Sequence, residues 1–286
     1  MSQAVRTAVL PVAGFGTRFL PVTKAVPKEL LPIVDRPCVE YAVVEAVAAG
    51  IERVVMVTTH GKEALADYFD ANPELERHLE EQGKDELLDQ VRRITGLVDV
   101  VTVRQRDARG LGLAVLSAQS AVGDEPFAVL LADDVIDAAS PAIGQVMAGC
   151  EPGQAAVALM EVPREQTGRY GVCAGSWRAP GRMDVRAMIE KPDPATAPST
   201  QAIVGRYVLP PDIFDILART PRGRAGEVQL TDALAELAAQ GRVTGVVFQG
   251  RRFDAGSVLG WLEANLHYAA LRPELAPELK AMLGRL

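Results

Sequence analysis

The tightest constraint on this chain is the kind of apolar segment it uses. Residues 5–12, 54–58, 98–103 and 127–132 are short, rich in β-branched side chains and apolar at successive positions, not at every second one. Strands of that composition are buried on both faces, as happens where helices cover both sides of a parallel sheet. Helical patterns lie between or after them, at 38–49, 62–69 and 111–121. The expected class is therefore α/β, a largely parallel sheet flanked by helices.

Residues 73–95 read as a charged helical insertion split by Gly83, with Leu75, Leu79, Leu87, Leu88 and Val91 on apolar faces. Ser140 before Pro141 suggests an N-cap followed by a favoured first helical residue, opening a helix to about Gly149. Beyond it the pattern becomes β-rich, at 155–162, 170–173, 183–190 and 202–209, with a proline-rich loop at 192–198. Helices are expected at 226–239 and 257–271, with a short last one after Pro273. No internal repeat or low-complexity linker interrupts the chain, so one domain with a helical C-terminal appendage is expected.

Composition narrows the function. With 286 residues, 48% of them hydrophobic, the chain can bury a large core without disulfide or metal staples. Cys38, Cys150 and Cys173 are far apart and form no CxxC, which favours a reducing cytoplasmic compartment. His60, His78 and His267 form no pair at zinc-site spacing. Thirty basic against 37 acidic side chains leave a net charge of -7, a poor match to a nucleic-acid backbone. The apolar runs fall far short of the roughly 20 residues a membrane helix needs, so no membrane partner is expected. Pro11 and Gly14 break the N-terminal apolar run, so it is expected not to direct export.

The net charge hides a local reversal. The first 28 residues contain Arg6, Arg18, Lys24 and Lys28 and no acidic residue. The first strand runs into Ala13-Gly14-Phe15-Gly16-Thr17-Arg18, a turn whose backbone N–H groups can approach a phosphate closely. A dinucleotide fingerprint would need a third glycine opening a helix. Phe19 stands there, and Pro21, Pro27 and Pro32 rule out a regular helix behind it. Lysine is scarce, six residues against 24 arginines, yet Lys24 and Lys28 follow this turn, as suits the β- and γ-phosphates of a triphosphate. Taken alone, they could equally be a solvated basic loop.

Asp133 and Asp134 leave the end of the 127–132 strand, where open α/β sheets place ligands. Asp133 suits Mg²⁺, which binds through one or two carboxylates plus phosphate oxygens and water. Asp134 could instead cap the next element. Gln105 can both donate and accept, as reading a base edge requires, although taken alone it is surface decoration. Lys191 beside Glu190 pairs a cation for a sugar phosphate with an acid for a hydroxyl, or is an exposed ion pair of little energetic weight.

The segment from Ala13 through Gly16-Thr17-Arg18-Phe19-Leu20-Pro21 to Pro27-Lys28-Glu29-Leu30-Leu31-Pro32 resembles the signature of the sugar-1-phosphate nucleotidyltransferases, in the form used by bacterial UTP:glucose-1-phosphate uridylyltransferases. The similarity runs over essentially the whole chain. It implies a Rossmann-like, GT-A-like mixed and mostly parallel sheet with a small β-rich sugar-binding part and C-terminal helices. On that basis residues 1–256 form the catalytic domain, with a nucleotide half at about 1–138 and a sugar half at about 139–256, and 257–286 are the appendage. The resemblance implies that Ala13, Gly14, Gly16 and Thr17 meet the nucleotide, with Glu29 beside it, Gln105 reading the base and Gly110 close to it. Arg18, Lys28 and Lys191 would act on the phosphates, Asp133 and Asp254 would hold Mg²⁺, and Asp134, Gly171, Glu190 and Gly205 would surround the sugar. Gly226 through Asp232 is a further match, although Glu227 could simply serve the first turn of a helix.

The implied substrates are UTP and glucose 1-phosphate and the products UDP-glucose and pyrophosphate, in a homodimer or homotetramer. Arg106, Leu113 and Val258 depart from the usual glycine, histidine and lysine. Two rival readings follow: a transferase using another nucleotide or sugar phosphate, and a non-catalytic nucleotide-sugar-binding relative.

Overall fold

The computed structural model describes residues 4–107, 109–223 and 226–285; the start of the N-terminal stretch discussed above lies outside them. β1 (Thr7–Pro11) leads through three single turns of 3₁₀ helix to the short pair β2 (Pro32–Ile33) and β3 (Arg36–Pro37), then α1 (Cys38–Ala48). Next come β4 (Arg53–Thr58), α2 (Ala64–Asp67), α3 (Pro73–Glu81), α4 (Asp85–Thr95), β5 (Asp99–Arg104), α5 (Leu111–Ser117) and α6 (Gln119–Val122). β6 (Phe127–Leu130) and β7 (Asp134–Asp137) precede α7 (Ala142–Gly149), β8 (Ala155–Glu161), β9 (Gly171–Ala179), β10 (Arg182–Glu190) and β11 (Gln201–Leu209). The chain closes with α8 (Ile213–Arg219), α9 (Leu230–Ala239), β12 (Val243–Val247), β13 (Arg251–Asp254), α10 (Val258–Ala270) and α11 (Ala276–Leu283).

Nine strands form one sheet in the order β5-β4-β1-β6-β11-β8-β12-β10-β9. The strands β5, β4, β1 and β6 are parallel, as their two-sided burial predicts, and so are β8 and β12. The sheet is mixed and mostly parallel, as expected: seven of its nine strands run one way, while β11, antiparallel to both β6 and β8, and β10, antiparallel to both β12 and β9, run the other. A tight hairpin joins β9 to β10, a connection open only to antiparallel neighbours.

Successive side chains of one strand feed two cores. Val9 of β1 packs with Val115, Phe214, Leu217 and Leu234 under α5, α8 and α9. Its neighbours Ala8 and Leu10 pack with Val39, Val43, Ile143 and Val146 under α1 and α7. A fully buried Val or Leu contributes about 1.5–3 kcal/mol, so both layers hold the sheet firmly. Phe127 and Phe214 stack with their centroids 4.9 Å apart in the first of these cores.

Local signals explain most boundaries. Asn72 Oδ1 accepts from the Leu75 amide at 3.1 Å with Pro73 at the first helical position, and Ser257 Oγ accepts from the Gly260 amide at 3.3 Å. Ser140, however, does not cap α7. Pro141 occupies the cap position, and the free Ile143 amide donates instead to Glu45 Oε1 of α1 at 2.8 Å, a partner remote in sequence. The segment before α9 is not helical from Gly226, because the Val228 amide and carbonyl pair with Arg109 and Gly112. Within 73–95, Leu79 and Leu88 are buried while Leu75 and Leu87 stay exposed.

The largest fully buried side chain is that of Arg206. It binds both oxygens of Glu45, at 2.9 and 2.7 Å, and donates to the carbonyls of Leu131, Gly205 and Asp134. Removing one partner of a buried pair strands the other, so Arg206→Met is expected to cost about 3–5 kcal/mol in urea unfolding. Arg206→Met/Glu45→Leu is expected to recover much of that loss.

Burial pushes the thiols of Cys38 and Cys173 up to about 12 and that of Cys150 up to about 11. At pH 8 the thiolate fraction is then only about 10⁻³ to 10⁻⁴. The native chain should show no rapidly reacting thiol toward a chromogenic disulfide, and three in guanidinium chloride.

Candidate active site

The strand order reverses direction at β1, which runs between β4 and β6, and such a point opens a crevice at the carboxyl ends of the strands. β1 exits there into the glycine turn, and β6 exits beside it into Asp133 and Asp134. The turn has the form the prolines predict, three short 3₁₀ segments at Thr17–Phe19, Val22–Lys24 and Lys28–Leu30. Gly16 takes φ +65°, and its carbonyl accepts from Thr23 Oγ1 at 2.8 Å. A Cβ on Gly16 would lie 3.0 Å from Lys28 Cβ, and one on Gly14 3.8 Å from Lys28 Cε. The Lys28 stem therefore runs alongside both glycines, and its Nζ reaches Asp133 Oδ2 at 2.5 Å. Burial acts to lower the Lys28 pKa, but Asp133 and Glu29 outweigh it and the net shift is upward. Burial likewise acts to raise the Asp133 carboxyl, and Lys28 outweighs it, holding the acid below its ordinary value.

β13 lies antiparallel to β7 with Asp254 opposite Asp134, which brings a residue 120 positions away to the acid pair. A Cβ on Gly256 would sit 2.4 Å from Asp133 Oδ2 and 3.2 Å from Asp254 Oδ1. Both carboxylates thus converge on a space open only because residue 256 has no side chain. Asp254 is bracketed by Arg169 Nη2 at 3.2 Å and Arg18 Nη1 at 3.9 Å. The Arg18 side chain is 64% exposed and free to swing toward a ligand.

Asp134 neither caps an element nor presents a free oxygen. Oδ2 accepts from the Gly205 amide at 2.8 Å and Oδ1 from Arg252 Nε at 2.7 Å and from Arg252 Nη2. Burial raises its pKa, with Arg252 offsetting part of the effect.

Across the cleft, Glu190 ends β10 and Lys191 follows it. Lys191 holds φ +46°, rare for a residue with a side chain, and its amide donates to the Tyr170 carbonyl at 2.9 Å. Its Nζ is 3.5 Å from Glu190 Oε1, while Glu190 Oε2 accepts from Thr231 Oγ1 at 2.7 Å. Gly171 leaves room for that pair, since a Cβ there would lie 3.0 Å from Thr231 Oγ1 and 3.2 Å from Glu190 Oε2. Arg18, Asp133, Asp134, Glu190, Lys191 and Asp254 line one open cleft of about 590 Å³. A larger hollow of about 730 Å³ beside Arg6, Pro126 and Cys150 opens away from these groups.

Eight residues from the sequence reading are not among those lining this cleft: Ala13, Gly14, Gly16, Thr17 and Lys28 on the loop behind Asp133, and Glu29, Gln105 and Gly110. Glu29 is buried and paired with Lys62. Gln105 is buried at the exit of β5, its side-chain amide donating to the Asp107 carbonyl at 2.8 Å. Gly110 packs on protein backbone, for a Cβ would fall 2.3 Å from the Val228 carbonyl oxygen. Conversely, Arg169, Tyr170, Thr231 and Arg252 line the cleft without having been singled out. Each gains its place from a partner distant in sequence, a signal no local spacing carries.

The nucleotidyl transferase family matches residues 7–270, and the chain belongs to it. Within that family it is 46% identical over 288 residues to the UTP–glucose-1-phosphate uridylyltransferase of Bacillus subtilis strain 168, covering 99% of each chain. A UTP-bound UGPase from Acinetobacter baumannii superposes with a TM-score of 0.89 at 41% identity, covering 99% of this chain and 100% of that one. A UDP-glucose pyrophosphorylase complexed with UDP-glucose superposes with a TM-score of 0.85 at 40% identity, covering 94% of this chain and 100% of that one.

Gly205 tests how tightly the acid pair is held. A Cβ there would lie 2.5 Å from Asp134 Oδ2 and 2.7 Å from Leu131 Cβ. Gly205→Ala is expected to cost about 1–3 kcal/mol by overpacking, read from the urea midpoint.

Proposed function

We propose that this chain transfers the uridylyl group of UTP to α-D-glucose 1-phosphate, forming UDP-glucose and releasing pyrophosphate. The observation that carries this reading is one cleft lined by Asp133, which Lys28 pairs with from behind, by Asp254 beside Arg18, and by Glu190 and Lys191. The full-length similarity to uridylyltransferases selects uridine and glucose among the ligands such a cleft could take.

In the proposed step a phosphate oxygen of glucose 1-phosphate attacks the α-phosphorus of UTP, and the bond from that phosphorus to the bridging oxygen of pyrophosphate breaks. The attacking oxygen is already ionised, so no general base is needed. Positioning and charge neutralisation supply the acceleration. Lys191, with its backbone held by Tyr170, orients the attacking phosphate, and Glu190 takes a sugar hydroxyl. Lys28 and Arg18 neutralise the departing pyrophosphate. The backbone of Ala13, Gly14, Gly16 and Thr17 meets the nucleotide, Gln105 reads the base beside Gly110, and Gly171 and Gly205 border the sugar, their missing side chains making room for the Glu190–Thr231 pair and for Asp134. Asp134 and Glu29 serve these ligands by positioning their neighbours.

Asp133 and Asp254 fit a hard divalent cation, since both converge before Gly256 and two carboxylates plus phosphate oxygens suit Mg²⁺. When bound there, Mg²⁺ would neutralise phosphate charge. Among the described residues no cluster of three or more His, Cys, Asp or Glu could hold a metal by itself, which fits a site completed by substrate.

The proposal includes a nucleotide half at about 1–138, a sugar half at about 139–256 and an appendage at 257–286. It also includes a cytoplasmic location and a homodimer or homotetramer, for which Leu259, Leu262 and Leu266 on α10 offer exposed apolar surface. No described helix is long and apolar enough to cross a membrane.

Pyrophosphate release with UTP, Mg²⁺ and glucose 1-phosphate tests the reading, and a matrix of other nucleotides and sugar phosphates tests its specificity. No product from any pair would overturn it. Lys191→Ala and Asp133→Ala are each expected to lower kcat by about 10²- to 10³-fold or more.

A further inference from the structure

One buried ammonium joins both ends of the loop that carries the phosphate-facing cations. Lys62 Nζ donates to the Val12 carbonyl at 2.5 Å and to Glu29 Oε2 at 2.8 Å. Val12 is the last residue before the glycine turn, and Glu29 directly follows Lys28, so the whole phosphate loop runs between the two acceptors. Lys62 itself arrives from the exit of β4, which pairs with β1 in the sheet. Its carbonyl accepts from the Leu65 amide at 3.1 Å, tying it to α2.

Stability is a poor reason for such a pair. Lys62 is 8% exposed and Glu29 1%. Desolvation lowers the Lys62 pKa, with Glu29 countering, and raises that of Glu29, with Lys62 countering. Apolar residues of similar volume often replace a buried pair at no cost or with a gain. What apolar residues cannot do is fix the distance between two polar backbone segments. That distance governs Lys28, whose stem lies against Gly14 and Gly16 while its ammonium meets Asp133.

We infer that Lys62 is a positioning residue for the nucleotide: its ammonium sets the spacing between the glycine turn and the Lys28 turn, and so controls affinity for the triphosphate but not for the sugar phosphate. This rests on the transfer reaction proposed above. A shift of about 1 Å in such a frame can cost on the order of 10²-fold.

The test uses the full chain with Lys62→Met and Lys62→Met/Glu29→Leu, the second removing the stranded carboxylate so that a folded protein is available. Direct UTP binding by calorimetry with Mg²⁺, KM for each substrate and Tm are measured. The expected result is UTP affinity weakened about ten- to a hundredfold in both variants, with KM for glucose 1-phosphate changed less than threefold and Tm higher in the double variant than in the single. UTP affinity within twofold of wild type in either folded variant would overturn the inference, as would parallel loss of affinity for both substrates. Wild-type protein that binds UTP yet forms no UDP-glucose would overturn the transfer reading alone, since the affinity ratios still decide the role of Lys62. Wild-type protein that does not bind UTP overturns both.

Discussion

The site depends on a buried charge network that runs through Arg206. From β11 its guanidinium reaches Glu45 of α1 and the carbonyls of Leu131, Gly205 and Asp134. Asp134 in turn takes the Gly205 amide and Arg252 of β13. Helix, sheet and the small β7–β13 pair are thereby fixed to one another. Charges in an interior cost several kcal/mol each unless their hydrogen-bonding capacity is filled, and here five acceptors fill it around one guanidinium. Asp133 is the residue just before it, so the geometry of the acid pair is set by bonds made behind it.

In front of that network the cleft is locally close to neutral. Lys28 pairs with Asp133, Arg18 and Arg169 flank Asp254, and Lys191 lies beside Glu190. Each pair is a place where a polyanion can exchange partners with a carboxylate, so a phosphate enters without first having to assemble cations from solvent. The overall charge of -7 belongs to the solvated surface and says little about this interior arrangement.

Sequence patterns recover the elements whose signal is local. The strands β1, β4, β5 and β6, helix α1, the split pair α3 and α4, and α10 with its Ser257 cap lie within a few residues of expectation. The short strands β7, β12 and β13 and the helix α8 were not anticipated, because a segment of four to seven residues carries too little periodicity to stand out. Ser140 fails as a cap because Glu45 supplies the acceptor from another helix. Antiparallel insertion of β11 also has no local signature, since a strand buried on both faces reads the same in either direction. At the site, Asp133, Lys28 and Arg18 follow from strand ends and the glycine turn. Lys62, Arg169 and Arg252 do not, although a buried lysine in a chain with only six is itself a hint.

The amino-acid order alone determined the α/β class, the turn that no helix can follow and the chemistry available at each strand exit. Those are properties of side-chain period, proline geometry and charge, all of them local. The tertiary structure decided which exits meet: Asp254 came to Asp133 through the β7–β13 register, Lys191 to the cleft through a strained backbone held by Tyr170, and Lys62 to both ends of the phosphate loop through the β1–β4 pairing. Each of those meetings rests on hydrogen bonds and packing between segments far apart in the chain, whose geometry exists only once the sheet has formed.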